Sequence, residues 1–191
     1  MRHGTRAGRW RAPPGTLAPV PPDPSGHIAF VGFMGAGKST TAELVARRLD
    51  RPWFDTDHVI VERCGRSIPE LFAAGEQARF RAMETAVIAE LLDGPPAVLS
   101  LGGGALEDSG TRELLLARAF VVWLEVSWSE VRAELPSLMQ TRPLLQDRTE
   151  EEIHALFERR QATYDQAHLR LHAARGELRA VADRVVAELA G

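Results

Sequence analysis

The stretch Gly32–Thr40, read as Gly-Phe-Met-Gly-Ala-Gly-Lys-Ser-Thr, most constrains what this chain can fold into. It fits the pattern G-x-x-x-x-G-K-[ST] and stands between the apolar run Ile28–Val31 and an amphipathic segment ending at Leu49. A strand, a glycine loop and a helix in this order form a phosphate cradle, because backbone N–H groups and the helix N-terminus converge on one anion. A plain turn is the alternative, but chance rarely supplies the motif together with its flanking strand and helix. The stretch therefore predicts a P-loop that binds nucleotide phosphates.

Two side chains of this loop carry chemistry. Lys38 can reach the β- and γ-phosphates of ATP, and the Ser39 hydroxyl can ligate Mg²⁺. We expect the remaining ATP contacts from the loop itself, namely from Gly35, Ala36, Gly37 and Thr40.

Composition narrows the class of protein. The 191 residues are 45% hydrophobic and 26% charged, which is typical of one soluble globular domain. No uncharged apolar run reaches the roughly 18 residues of a membrane helix. Outside residues 1–26 the chain has 19 basic and 25 acidic side chains, a net charge of −6, which argues against nucleic acid as a partner. Cys64 is the only cysteine, so we expect no intrachain disulfide and a cytoplasmic location. We also expect a monomer.

Residues 1–26 have a different composition from the rest. They hold six of the twelve prolines, and four arginines against one aspartate, with few large apolar residues to bury. An organelle transit peptide is one alternative, because the segment is rich in arginine and poor in acidic residues. We interpret it instead as a disordered extension, which leaves residues 27–191 as a single domain.

Short apolar runs alternate with longer helical segments from His27 onward, which predicts βαβ units and a parallel sheet. The candidate strands are Ile28–Val31, Pro52–Phe54, Ala97–Leu101, Phe120–Leu124 and His168–His172. The candidate helices are Lys38–Asp50, Asp57–Cys64, Ile68–Ala73, Glu76–Leu92, Ser109–Ala117, Ser129–Leu135, Glu150–Ala167 and Glu177–Ala190. The predicted fold class is α/β, a five-stranded parallel sheet with helices on both faces. Ligands of such sheets bind at the carboxyl ends of the strands.

The segment Leu135–Thr149 is polar and contains Arg142 between Pro136 and Pro143. A long polar connection inside a compact domain is usually functional or disordered. Beside a nucleotide site it is a candidate for a mobile lid.

Two further motifs follow predicted strands. Asp55-Thr56-Asp57 comes after Trp53-Phe54, so one aspartate can anchor Mg²⁺ with Ser39 while the other faces a substrate hydroxyl as a base. The alternative is a helix N-cap with an exposed partner. Gly102, Gly103 and Gly104 follow the run Val98–Leu101, and three glycines in sequence indicate that something approaches the backbone closely there.

Two arginines lie on or beside apolar helix stripes. Arg81 borders one stripe and has Glu84 three residues further on, while Arg160 falls within the stripe that starts at Ile153. A buried guanidinium needs an anion, and a structural ion pair is the usual one. Together with the glycine triplet, the two arginines favour a small carboxylate ligand, which arginine can hold with two hydrogen bonds.

Taken together, these motifs resemble the shikimate kinases. The matching residues, in family order, are Gly32–Thr40, Asp55–Asp57, Gly65–Ile68, Phe72, Gly75-Glu76, Phe80-Arg81, Glu84, Leu101–Gly104, Arg142–Leu145, Arg160 and Tyr164. The resemblance covers residues 28 to about 172. It implies ATP-dependent phosphorylation of the shikimate 3-hydroxyl, with one Mg²⁺ per subunit and with ATP as co-substrate, in aromatic amino acid biosynthesis.

The resemblance also implies roles. Ser39 and Asp55 would hold Mg²⁺, and Lys38, Asp57 and Arg142 would be catalytic, with Arg142 acting on the ATP phosphates from the lid. The residues expected to bind shikimate are Asp57, Arg81, Glu84, Gly102, Gly103, Gly104 and Arg160, with Glu84 orienting Arg81. The family often has an arginine late in the helix before the lid, where this chain has Arg132 early, so the adenine contacts stay unassigned.

Two other functions remain open from the sequence. A kinase of another polyol acid, such as gluconate or an aminocyclitol precursor, would use the same P-loop. A sensor domain could bind a shikimate-like ligand without turnover, although Lys38, Ser39, Asp55 and Asp57 are all present.

Overall fold

The computed structural model describes residues 8–9, 22–23, 25–141, 145, 148–173 and 176–190. Its strands are β1 (Gly8–Arg9), β2 (His27–Val31), β3 (Trp53–Asp55), β4 (Val98–Ser100), β5 (Ala119–Glu125) and β6 (Leu169–His172). Its helices are α1 (Lys38–Leu49), α2 (Thr56–Cys64), α3 (Ile68–Ala73), α4 (Gln77–Asp93), α5 (Ser109–Arg118), α6 (Trp128–Thr141), α7 (Glu150–Tyr164) and α8 (Leu178–Ala190). Across these described ranges, no helix is long and apolar enough to cross a membrane.

One sheet organises the domain, with strand order β1-β6-β5-β2-β4-β3. The strands from β2 to β6 pair in parallel, which confirms the predicted five-stranded parallel sheet. Strand β2 lies between β5 and β4, and all five of its residues are buried, as expected for an apolar strand that helices cover on both faces. The carboxyl ends of β2, β4 and β3 are therefore neighbours, and the loops that follow them meet at one edge.

A second, smaller group of apolar side chains lies outside the main core. Ile60 of α2, Leu71 of α3, and Phe80 and Val87 of α4 are buried together. Side-chain caps fix the starts of two of these helices: Asp55 caps α2, and Ser67 forms a capping box with Glu70 at the start of α3. The cluster holds α2 and α4 side by side and so sets the position of their polar residues over the sheet.

The structure differs from the predicted helix boundaries most clearly at α6. The sequence predicts a helix ending at Leu135 followed by a polar connection, whereas α6 continues through Pro136 to Thr141. Proline normally interrupts a helix because it lacks an N–H group and its ring crowds the preceding turn. Here Leu135 and Leu138 on either side of it are buried in the core, so packing keeps the segment helical while Pro136 faces solvent. Among the remaining residues of the predicted lid, 142–144 and 146–147 lie outside the described residues.

The N-terminal extension contributes one short strand. Gly8–Arg9 pairs antiparallel with Arg170 and Leu169 of β6 and extends the sheet at that edge. Asp23 and Gly26 form a turn directly before β2. Most other residues of the extension lie outside the described residues, so its disorder stays a prediction. This prediction does not hold for Gly8–Arg9, which form a strand.

Candidate active site

A cavity of about 720 Å³ opens at the carboxyl ends of β2, β3 and β4. The P-loop, the Asp55–Asp57 segment and the glycine triplet all line it, as the sequence predicts. Helices α2, α3, α4 and α7 supply the rest of the wall, including Ser67, Phe72, Phe80 and Arg160. The cavity therefore joins a phosphate end, at the P-loop, to a second end enclosed by helices.

The P-loop is already folded around its own lysine. Lys38 Nζ donates hydrogen bonds to the carbonyl oxygens of Gly32 at 2.9 Å and Phe33 at 3.1 Å. Gly37, directly before α1, has φ 77°, a left-handed conformation that a residue with a side chain rarely adopts. The loop thus bends back over the start of α1 and brings the ammonium group to the point where the helix dipole favours an anion.

A group of hard oxygen atoms lies beside the loop. Ser39 Oγ donates to Asp55 Oδ2 at 2.5 Å and lies 3.2 Å from Ser100 Oγ at the end of β4. Asp55 Oδ1 accepts from the backbone N–H groups of Asp57 and His58, so this carboxylate also caps α2. Hydroxyl and carboxylate oxygens fit Mg²⁺, which is commonly held by one or two carboxylates together with substrate phosphates. The donor set at Ser39 and Asp55 therefore suits the predicted metal.

The N-cap of α2 corrects one detail of the sequence interpretation. The predicted helix starts at Asp57, whereas α2 starts at Thr56 and Asp55 caps it. This frees the Asp57 side chain from capping, and it lines the cavity. A Cβ atom built on Gly102 would lie 2.9 Å from Asp57 Oδ1, so the carboxylate lies directly against the glycine triplet.

Arg81 and Glu84 form one charged pair at the helical end of the cavity. Arg81 Nη1 donates to Glu84 Oε2 at 2.5 Å, and the Glu84 side chain is only 3% exposed. Burial raises the pKa of Glu84 above its ordinary value, Arg81 opposes this, and the nearby Asp57 carboxylate adds to it. Within the described part of the chain, Glu84 Oε1 has no hydrogen-bond partner although it is buried. The predicted orientation of Arg81 by Glu84 agrees with this geometry.

Arg160, which lines the cavity, forms a second charged pair with Glu107. Arg160 is 2% exposed, and its Nε donates to Glu107 Oε1 at 2.6 Å. The guanidinium also lies over the ring of Phe33, 5.8 Å from the ring centroid, in cation–π contact. Arg160 is therefore held between an acidic partner and the P-loop. The sequence did not single out Glu107, because only the fold brings it beside α7.

The glycine triplet is the common neighbour of all these side chains. Cβ atoms built on Gly102, Gly103 and Gly104 would lie 2.6 Å from Glu84 Oε1, 3.2 Å from Arg160 Nη1 and 2.4 Å from Arg81 Nη2. No side chain fits at positions 102 and 104 unless these groups move. The triplet therefore provides close approach for the polar groups, as the sequence predicts.

Hydrogen bonds from neighbouring elements hold the triplet in place. The Tyr164 hydroxyl donates to the Gly103 carbonyl oxygen at 2.5 Å, and burial raises the pKa of this phenol. Thr56 Oγ1 accepts from Gly102 N and donates to the Ser100 carbonyl oxygen. Sequence reasoning gave Thr56 and Ser100 no role. The only available signal was position, since Thr56 lies between Asp55 and Asp57 and Ser100 lies two residues before Gly102.

The structure brings most of the predicted site together. Of the predicted residues, those lining the cavity are Gly35, Gly37, Lys38, Ser39, Thr40, Asp55, Asp57, Arg81, Glu84, Gly102, Gly103, Gly104 and Arg160. Ala36 is buried instead, and its N–H donates to the Phe33 carbonyl oxygen within the loop. Arg142 lies outside the described residues. Arg132 pairs with Glu150 on the surface, with its side chain 65% exposed.

Comparison with known proteins places this site in a family. A family model described as shikimate kinase matches residues 34–190. A shikimate kinase of Geobacillus kaustophilus is 40% identical over 162 residues, which cover 84% of this chain and 86% of that protein. The chain belongs to the shikimate kinase family. A shikimate kinase of Burkholderia pseudomallei is 39% identical over 173 residues, which cover 87% of this chain and 91% of the relative.

Solved structures agree with this family. The shikimate kinase of Acinetobacter baumannii in complex with shikimate superposes with a TM-score of 0.80 and 32% identity, covering 88% of this chain and 94% of the other. A gluconokinase of Sinorhizobium meliloti reaches a TM-score of 0.56 at 18% identity, which shows a shared fold alone. The resemblance predicted from the motifs is therefore confirmed.

Proposed function

We propose that this protein transfers the γ-phosphoryl group of ATP to the 3-hydroxyl of shikimate, giving shikimate 3-phosphate and ADP, in the biosynthesis of chorismate and the aromatic amino acids. One observation carries the proposal. Two arginines, each paired with a glutamate, meet the glycine triplet in the cavity that also contains the P-loop and Asp57. The Acinetobacter relative, which was solved in complex with shikimate, supports the same acceptor.

The phosphate end would bind ATP and Mg²⁺. Lys38, now bonded to the Gly32 and Phe33 carbonyl oxygens, would turn to the β- and γ-phosphates with a small change of side-chain conformation. Ser39 and Asp55 would hold Mg²⁺ through their oxygen atoms. The metal, when bound, would neutralise charge on the phosphate oxygens. Arg142 would add positive charge from the lid, as the family resemblance implies.

The acceptor end would hold shikimate by its carboxylate and its ring hydroxyls. Arg160 and Arg81 would bind the negatively charged groups, because an arginine can donate two parallel hydrogen bonds to one carboxylate. Glu84 would keep Arg81 in place and could accept a hydroxyl hydrogen at Oε1. The three glycines would let the ring approach the backbone next to these groups.

Asp57 would handle the proton of the attacking hydroxyl. The reaction breaks the bond between the γ-phosphorus and the bridging oxygen of ATP, and it forms a bond from the shikimate 3-oxygen to that phosphorus. The hydroxyl proton would pass to the Asp57 carboxylate, which lies at the junction of the two ends of the cavity. Lid closure would exclude water, which competes with shikimate as the acceptor.

A substrate panel tests the proposal. Purified protein, ATP and Mg²⁺ are mixed with shikimate, gluconate or an aminocyclitol, and ADP release is followed by a coupled assay. Of the three acceptors, we expect only shikimate to give rapid ADP release, and ³¹P NMR should show one phosphomonoester on its 3-oxygen. Faster ADP release with gluconate would show that gluconate, and not shikimate, is the acceptor. Tight shikimate binding without ADP release would indicate a sensor.

We further propose that the protein acts as a monomer in the cytoplasm.

A further inference from the structure

Glu107 is the acidic partner of Arg160, and it differs from the partner of Arg81 in its separation along the chain and in its exposure. Glu84 lies three residues from Arg81 on the same helix and is 3% exposed. Glu107 follows the glycine triplet, 53 residues from Arg160 along the chain, and is 38% exposed. Arg160 therefore pairs with a partly exposed carboxylate from another part of the chain.

The contact uses only one side of the guanidinium. Glu107 Oε1 accepts from Nε, while Nη1 lies over Gly103, 3.2 Å from the position that a Cβ atom would occupy there. A guanidinium has two edges that can grip a carboxylate, one containing Nε and the other formed by the two Nη groups. With Nε bonded to Glu107, the Nη edge is the one that remains for a ligand in the cavity.

Three contacts together fix this orientation. Phe33 lies against one face of the guanidinium, Glu107 accepts a hydrogen bond from its Nε, and the buried Tyr164, one turn further along α7, also interacts with it. The side chain of an arginine loses much rotational freedom when it binds a ligand. If the geometry is already set before binding, that loss does not reduce the affinity. Glu107 is the single exposed and charged member of this support, so it can be changed without opening the core.

We propose that Glu107 is a positioning residue that presents the Nη edge of Arg160 to the carboxylate of the acceptor substrate. This inference rests on the proposed function, because it takes the acceptor to be the ring acid that Arg160 binds. Glu107 touches no reacting atom and acts only through Arg160. Removal of the Glu107 carboxylate should weaken the binding of the acceptor substrate and leave both ATP binding and the rate of the chemical step unchanged.

Steady-state kinetics of three variants test this role. In Glu107→Ala we expect the KM for shikimate to rise about three- to tenfold, the scale of one partly exposed charged hydrogen bond, with kcat and the KM for ATP within twofold of the wild type. Glu107→Gln retains a carbonyl oxygen for Nε and should restore most of the affinity. The matched control is Glu113→Gln, on the exposed face of α5, which should behave as the wild type.

Isothermal titration with a modified ligand separates positioning from a general structural effect. The methyl ester of shikimate lacks the charged carboxylate, so it should bind weakly and equally to the wild type and to Glu107→Ala. The ratio of affinities between the two proteins should therefore be large for the acid and close to one for the ester. An equal ratio for both ligands would overturn the proposal.

Other outcomes are equally decisive. A lower KM for shikimate in Glu107→Ala would mean that Glu107 competes with the substrate for Arg160, and an unchanged KM would mean that the ion pair has no part in binding. A parallel rise of both KM values with a lowered Tm would indicate a structural role. If the wild type itself releases no ADP with shikimate, the proposed function fails first, and that result is distinct from all of these.

Discussion

The phosphate end of the cavity comes mostly from one continuous segment, whereas the acceptor end takes side chains from three helices and a loop. Lys38 and Ser39 are adjacent in sequence, and Lys38 bonds to backbone carbonyl oxygens of its own loop. Asp57, Arg81 and Arg160 come from α2, α4 and α7, and they meet only at the glycine triplet. One end can be recognised from a local pattern, and the other depends on the tertiary fold.

Glycine also serves the two ends for different physical reasons. Gly37 in the P-loop has a left-handed φ, so it is needed for the backbone conformation, and a Cβ atom there would also lie 2.7 Å from Leu178 Cδ2. Gly104 is not among the glycines with positive φ, yet a Cβ atom there would lie 2.4 Å from Arg81 Nη2, so it is needed for space. The phosphate end is thus limited by backbone geometry as well as by space, and the acceptor end only by how closely side chains approach.

The largest expected effect concerns the junction of the two ends. Asp57→Asn removes the proposed proton acceptor, so kcat with shikimate should fall about 10³-fold. The fold should survive because Asp55, not Asp57, caps α2. Coupled ADP release measures kcat, and circular dichroism checks the fold. Glu62→Gln, on the exposed side of the same helix, is the control, and near-normal turnover in Asp57→Asn would refute the assignment.

The next effect should appear at the acceptor end alone. Arg160→Lys keeps the charge but loses the planar fork, so shikimate affinity should fall about 10- to 100-fold. ATP affinity should stay the same, because Lys38 and Ser39 are untouched. Isothermal titration of both ligands measures this split. An equal loss for ATP and shikimate would mean that Arg160 supports the whole cavity through Phe33.

A pair of glycine variants sharpens the distinction between space and backbone geometry. Gly104→Ala should push Arg81 aside and raise the KM for shikimate about tenfold. Gly65 at the end of α2 has φ 66° with nothing within 4 Å of a built Cβ atom, so Gly65→Ala should lower the stability by about 1 kcal/mol and leave KM unchanged. Kinetics and thermal unfolding of both variants check this. The same response in both would contradict the distinction.

The smallest effect concerns stability and pH. Because the folded-state pKa of Glu84 is raised above 4.5, the native protein binds more protons than the unfolded chain above that pH, and its free energy of unfolding falls as the pH rises toward the folded-state pKa. Glu84→Gln removes the titrating carboxyl group and with it this dependence of the stability on pH. The Tm of the variant relative to the wild type should therefore increase by a few degrees between pH 4.5 and 8. Parallel Tm curves would show that Glu84 carries no such penalty.

Much of the fold follows from local sequence patterns. All five predicted strands are present within a residue or two, because continuous apolar runs bounded by turns leave little choice. Pro136 misled the interpretation because the burial of Leu135 and Leu138, which no local pattern reports, outweighs the interruption by proline. Tertiary context overrides local preference at this point.

The residues of the candidate site also divide into those that local sequence patterns indicate and those that only the tertiary fold brings together. Lys38, Ser39 and the two aspartates belong to short motifs with fixed spacing, and Arg81 with Glu84 lies on one helix face, so the sequence suggested all of them. Glu107 was missed because it and Arg160 are far apart in the chain. The hydrogen bond from the Tyr164 hydroxyl to the Gly103 carbonyl oxygen also joins residues far apart in the chain, so it was likewise visible only in the structure.

The parallel pairing of β2 with β4 has a consequence for how the protein folds. This pairing aligns Ile28 with Val98, so it closes a loop that contains β3 and all of α1, α2, α3 and α4. Contacts between distant parts of a chain form slowly, because the intervening segment must first lose conformational entropy. The P-loop follows β2 and is synthesised early, but the glycine triplet follows β4. Ligand affinity should therefore be gained late in folding, when this crossover has closed.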